Sequence, residues 1–241
     1  AYERYKYIFI NSNEIEFHWK GDYGAKGESR APKKKKTKEQ IAIANQVNKV
    51  IRMRRVLKAN FFSDDLWCCF KYPAGTKISV DDLENDRSYF LRILRAAYKK
   101  AGSELKFASR IEIGEHGGLH FHMAMNRIWN TQTDVIITDC WKRTLERSFE
   151  RRRTADKKTQ GLVDFKPMYD AGGFNELAKY ICKQPEKDSE EYEQLSMFEE
   201  KEQKKLLKIS TSRNLIRPEP EKKEYHRLTM RKILLEGPVA T

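Results

Sequence analysis

Two short groups of residues in this 241-residue chain have the types and spacing to do chemistry together. The first is His120-Phe121-His122. In a β-strand, residues two apart project from one face, so both imidazoles can reach a single ion while Phe121 turns to the other side. Two imidazole nitrogens leave coordination positions open. A nearby carboxylate would complete a mixed nitrogen and oxygen site suited to a divalent metal acting as a Lewis acid. Glu112 is the carboxylate expected there. If the hairpin pivots on His116, Glu112 lies across from His120 and shares its face, whereas Glu115 falls in the turn with no fixed direction. Two partly exposed histidines on one strand face without any metal are the plainer alternative. His116 adds a third imidazole and with it the option of zinc, although the sequence places no thiolate to close a tetrahedral site.

The second group is Tyr180-Ile181-Cys182-Lys183. A helical offset of three sets the phenol and the ammonium on one face, a turn apart. A phenol titrates at about pH 10, so its attack on a phosphodiester at neutral pH needs a cation or base that favours phenolate. It also needs charge stabilisation at the phosphate oxygens. Lys183 fits the first role. A half-buried tyrosine and a solvated lysine on an amphipathic helix are the ordinary alternative.

The elements that must carry these groups follow from periodicity and punctuation. Leu66 to Tyr72 is a short aromatic-rich run closed by Pro73 and Gly75, which predicts a buried strand. Asp81 or Asp82 can cap a helix to about Ala101, with Tyr89, Phe90, Ile93, Leu94, Ala97 and Tyr98 as its apolar stripe and Gly102 as its stop. Leu105 to Ile113 and Leu119 to Met125 flank the glycine-bearing turn Gly114 to Gly118 and form a hairpin. Asp134 to Phe149 reads as a helix, Arg151 to Lys158 as a basic loop and Leu162 to Met168 as a strand. Phe174 to Lys183 is a helix entered through Gly172, Gly173 and Asn175 and ended by Pro185. Glu186 to Lys208 is charge-dense and helical, and Ile209 to Thr241 carries no clear pattern.

Upstream, the first 30 residues hold many aromatics without a clean period, which suggests a short strand or arm followed by the polar stretch Gly21 to Pro32. Glu39 to Ala59 has helical apolar spacing with lysines and arginines on the other face, either a solvated surface or a DNA-contacting one.

The formal net charge of +13 points to a polyanionic partner, nucleic acid foremost, because basic clusters release counterions from phosphate backbones. No run approaches the roughly 18 apolar residues of a membrane span and no signal peptide opens the chain, so a soluble, intracellular protein is expected. The four cysteines match neither a disulfide framework nor paired zinc knuckles, and Cys68 and Cys69 in one strand point to opposite faces. There is no internal repeat and no Walker-type phosphate loop.

A carboxylate on one strand, His-hydrophobic-His on the next and Tyr-x-x-Lys on a following helix, in that order, resemble the HUH endonucleases that initiate rolling-circle replication. The strand Leu66 to Pro73 occupies the place of that family's first motif. The helix Tyr89 to Gly102 is similar to the Phe-Leu-Arg-x-Leu-Arg region of bacterial plasmid and phage-like replication proteins, and Ser212-Arg213-Asn214-Leu215 to a segment after their tyrosine.

The resemblance, over roughly Asn60 to Pro218, implies an α+β fold with a central antiparallel sheet of the HUH, RRM-like palm type flanked by helices. It implies manganese or magnesium held by Glu112, His120 and His122, with Tyr180 as the nucleophile of a 5′-phosphotyrosine link and Lys183 as its helper. One such tyrosine fits replication and plasmid proteins, with Tyr169 and Tyr192 as the other candidates nearby. The expected layout is a basic arm and helix over residues 1–60, the endonuclease core over 61–185 and a charged helical extension over 186–241. The expected partners are single-stranded and origin DNA in the cytoplasm of a bacterial host, with no membrane and with unwinding left to a separate host helicase. The rival readings are a transposase or relaxase of the same chemistry, and a non-catalytic nucleic-acid-binding module in which Trp67, Phe70 and Tyr72 stack bases.

Overall fold

The structure, a computed structural model, describes residues 2–19, 35–114, 117–153, 162–170, 172–187 and 189–225. The chain runs through β1 (Tyr2–Ile8), β2 (Asn13–Trp19), α1 (Lys38–Asn60), β3 (Leu66–Lys71), α2 (Val80–Lys100), β4 (Phe107–Ile113) and β5 (Leu119–Met125). It continues through α3 (Thr133–Arg152), β6 (Leu162–Pro167), α4 (Asn175–Cys182), α5 (Glu190–Ser196), α6 (Glu200–Leu206), β7 (Ser210–Thr211) and β8 (Glu221–Tyr225). This is an α+β protein with two antiparallel sheets, and it divides into two units: Ala1–Ala59 with Ile216–Thr241, and Asn60–Leu215. Among the described residues no helix is long and apolar enough to cross a membrane.

The smaller unit holds the three-stranded sheet β2-β1-β8. The amino-terminal aromatics form a hairpin rather than one strand, because Phe9 is buried at a tight turn whose backbone N–H donates to the Ser12 carbonyl at 2.9 Å. The basic face of α1 is partly committed within this unit. Glu14 of β2 takes Arg54 at 2.7 Å, Arg55 at 3.2 Å and Lys58 at 2.8 Å. Burial alone would raise the Glu14 pKa, but these cations hold it below its ordinary value.

The larger unit is built on the five-stranded sheet β6-β3-β5-β4-β7. Side chains alternate across its strands, and Phe70, Ile111 and Phe121 face the stripe of α2 (Phe90, Leu94, Tyr98) and α3 (Trp141, Leu145) in one core. Phe70 and Phe121 stack at 4.7 Å, and Trp141 stands edge-on to both at 5.5 and 5.4 Å. Asp86 is fully buried and accepts from the Tyr72 hydroxyl at 3.1 Å, Ser148 and Arg151.

Local caps account for the boundaries. Ser79, not Asp81 or Asp82, caps α2: its hydroxyl accepts the Asp82 N–H at 3.1 Å, and both aspartates fall in the first turn, where they meet the positive end of the dipole. Gly102, at φ +75°, follows the helix, and Ser103 N–H reaches back to the Tyr98 carbonyl at 3.0 Å, the Schellman arrangement. The charge-dense stretch after α4 forms two short helices instead of one, since Ser189 caps α5 and a Glu199–Glu202 capping box starts α6 afresh. The unpatterned tail supplies β7 to the large sheet and β8 to the small one.

Candidate active site

The face of the large sheet turned away from α2 and α3 is built by the same alternation, one residue along. Glu112 pairs with His120 and Arg110 with His122, the register that a hairpin centred on residue 116 requires. His116 and Glu115 themselves lie outside the described residues, as does Thr154 to Lys158 of the basic loop. Gly114 permits the turn: its N–H donates to Gly118 O at 2.8 Å, and a Cβ there would stand 3.3 Å from that oxygen and 3.6 Å from the His120 ring. On the other side of β5, Cys69 of β3 pairs with both His122 and Asp164.

Tyr180 reaches this face from α4, whose Ala178, Ile181 and Cys182 are buried. Arg110 anchors the helix. Its guanidinium donates to the carbonyls of Tyr180 at 2.6 Å and Lys183 at 3.2 Å, and it stands 3.7 Å from Glu191. Carbonyls of a last helical turn lack intrahelical partners and carry the negative end of the dipole, so a cation is well placed there.

Four groups converge in a cavity of about 310 Å³. One Glu112 carboxylate oxygen lies 2.8 Å from His122 Nε2 and 3.5 Å from His120 Nε2. The Tyr180 hydroxyl donates to that oxygen at 2.5 Å and stands 3.2 Å from His122 Nε2. Trp67 stacks on His122 at 5.3 Å and meets the Tyr180 ring edge-on. Burial would raise the Glu112 pKa, but the bonds from His120, His122 and Tyr180 outweigh it and hold the carboxyl well below its ordinary range. Burial and Glu112 together push the Tyr180 phenol well above its ordinary value.

The donor set fits a small divalent ion. Two ligands cis to each other on an octahedral ion with bonds of about 2.1 Å stand about 3 Å apart, close to the separations between Glu112 and the two histidines.

Lys183 is not beside the phenol. The helix ends at Cys182, Lys183 adopts extended angles (φ −50°, ψ 137°), and its ammonium pairs with Glu191 at 2.5 Å. The offset of three therefore does not give a shared helical face. Sequence reasoning also missed Cys69, whose sulfur and one nitrogen from each of His120 and His122 all lie within 4.8 Å of one another. A thiolate donor is thus within reach after all, although burial pushes the thiol up to about 11. Its position follows from the β3–β5 register, which no local spacing reveals. Phe70 and Tyr72 belong to the core, so of the three aromatics considered for stacking bases only Trp67 faces the site.

Residues 65–188, more than half of the chain, match the family of the replication-associated protein ORF2, and the matched span includes Glu112, His120, His122, Tyr180 and Lys183. Neither the curated proteins nor the solved structures give a significant match. The chain belongs to the replication-associated protein ORF2 family.

Proposed function

We propose that the chain initiates replication by nicking single-stranded DNA at an origin. In this reading Tyr180 Oη attacks a phosphodiester, becomes bonded to the 5′ phosphate and releases a 3′ hydroxyl, while Glu112, His120 and His122 hold manganese or magnesium. The observation that carries it is the position of Tyr180 Oη, 2.5 Å from Glu112 and 3.2 Å from His122. A nucleophile and the donors of a Lewis acid occupy one small cavity.

The chain's residues have distinct parts in this step. Tyr180 must lose a proton that burial holds in place, and Glu112 and His122 are the groups within hydrogen-bond reach of it. A bound divalent ion would stabilise phenolate and draw charge from the non-bridging phosphate oxygens. Arg110 fixes the backbone that carries the phenol, and Trp67 offers an aromatic edge at the cavity. Lys183 acts as the helper cation when its ammonium leaves Glu191 for the phosphate backbone. The new phosphotyrosine ester conserves the energy of the broken bond, so a 3′ hydroxyl can reverse the step and join strands without ATP.

The test is incubation with labelled single-stranded oligonucleotides spanning the candidate origin and manganese, followed by denaturing electrophoresis. Wild type should give a covalent adduct and Tyr180→Phe none, with binding retained. An adduct that persists in Tyr180→Phe moves the nucleophile to Tyr169 or Tyr192, both exposed. A free 5′ phosphate without any adduct makes water the nucleophile. The proximity of Cys69 favours one second reading, a structural zinc on Cys69, His120 and His122. Chelation would then unfold the protein instead of only silencing it.

A further inference from the structure

A second feature of the nuclease unit lies on the opposite face of the sheet, at its β4–β7 edge. A groove of about 730 Å³ is bounded by α2 on one side and by the segment from Ser210 to Asn214 on the other. It unites two stretches singled out in the sequence, one in α2 and the other Ser212 to Leu215, neither of which the nicking site uses.

Three cations line it. Arg95 and Lys99, four apart, share one face of α2, and Arg213 faces them from beyond β7. All three side chains are exposed, and none has an ion-pair partner among the described residues. The one carboxylate in the lining, Glu104, is engaged by the Asn214 amide at 3.2 Å. Leu91, Leu105 and Phe107 lie beneath the groove and are buried in the core, with Arg95 5.7 Å from the centre of the Phe107 ring. The walls carry the hydroxyl residues Ser210 and Thr211.

We propose that this groove binds the phosphate backbone of a single-stranded DNA segment flanking the nick. Three exposed cations that face one another across a groove, with its one carboxylate already engaged, suit the closely spaced phosphates of a nucleic-acid strand. β7 holds the groove open by pairing Thr211 with Ala108 and Ser210 with Ser109, while Ser212 accepts the Phe107 N–H at 3.0 Å. The site is therefore part of the sheet and present before DNA arrives. It rests on the nicking reading only in naming DNA as the ligand.

The test compares the full chain with the triple variant Arg95→Gln, Lys99→Gln, Arg213→Gln. Binding of a fluorescein-labelled single-stranded oligonucleotide of mixed sequence is measured in EDTA across a salt series. Loss of three phosphate contacts should make the slope of log affinity against log salt shallower by about 2. Wild type should accordingly lose about twentyfold more affinity than the variant between about 50 and 200 mM salt. Adduct formation on an oligonucleotide too short to leave the histidine cavity should be unchanged. A variant with wild-type affinity and slope overturns the proposal, even if it has lost affinity for free ATP, which would make the groove a nucleotide site. If wild type forms no adduct but the slope still changes, the nicking mechanism fails and the groove stands.

Discussion

The two faces of β5 are made by alternate residues of one strand and do opposite things. Leu119, Phe121, Met123 and Met125 face the helices and are buried. His120 and His122, one residue away, face the cavity with Glu112, Cys69 and Tyr180. A slip of one residue in pairing would exchange the two sets, so the aromatic packing that stabilises the sheet also holds the register that assembles the site. In such a sheet the chemistry is no more secure than the core behind it.

The sharpest way to break that symmetry is to cut each face in turn. His122→Ala or Glu112→Gln should lower metal-dependent cleavage by about a thousandfold, about 4 kcal/mol of transition-state stabilisation, and lower the melting midpoint less than Phe121→Ala does. EDTA should silence the wild type in the same way. Phe121→Ala should cost about 3–5 kcal/mol of stability, because a fully buried ring stacked on Phe70 and edge-on to Trp141 leaves a cavity. Its folded fraction should still cleave at close to the wild-type rate. A Phe121→Ala protein that melts normally yet has lost cleavage would show that the faces are not separable.

The comparison also separates what the sequence could disclose from what it could not. His120, Phe121 and His122 were legible because period two is local, and Glu112 because a short hairpin ties its register to a countable pivot. The entry to α4 through Gly172 and Gly173 was legible for the same reason. Cys69, Asp164 and Lys166 were not, since they reach the cavity only because β3 inserts between β5 and β6, a pairing between segments about 50 to 100 residues apart. The shared face expected of Tyr180 and Lys183 does not form, because the helix stops one residue before Lys183. Nothing local in the sequence shows that Arg110 is buried under the end of α4.

Arg110 gives a smaller effect on the site face alone. Arg110→Lys keeps a positive charge near Glu191 but loses the fork that spans two carbonyls. Tyr180 would then be held less firmly, and single-turnover cleavage should slow by about 10- to 100-fold with oligonucleotide affinity unchanged. An unchanged rate would make Arg110 a stability residue only.

The smallest effect is a shift in melting midpoint with pH, and it too distinguishes the faces. Against the effect of burial, bonds from His120, His122 and Tyr180 hold the Glu112 carboxyl below its ordinary 4.5, so their stabilising contribution is present above that pH. It is lost as pH falls towards the folded-state value. The Tyr180 phenol is raised above its ordinary 10.0 by burial and by Glu112, so its contribution is present below that pH and is lost as pH rises through the folded-state value. The Tyr180–Glu112 contact therefore stabilises most between these two ordinary values. Measured in EDTA, the midpoint difference between wild type and Tyr180→Phe should be level across that window and shrink towards both ends. Phe121 packs in the apolar core against Phe70, Phe90 and Trp141, so the difference between wild type and Phe121→Ala should not vary with pH over the same range. A level Tyr180→Phe difference at both extremes would mean that the phenol does not rest on Glu112 in solution, and the nucleophile proposed above would then need another route into the cavity.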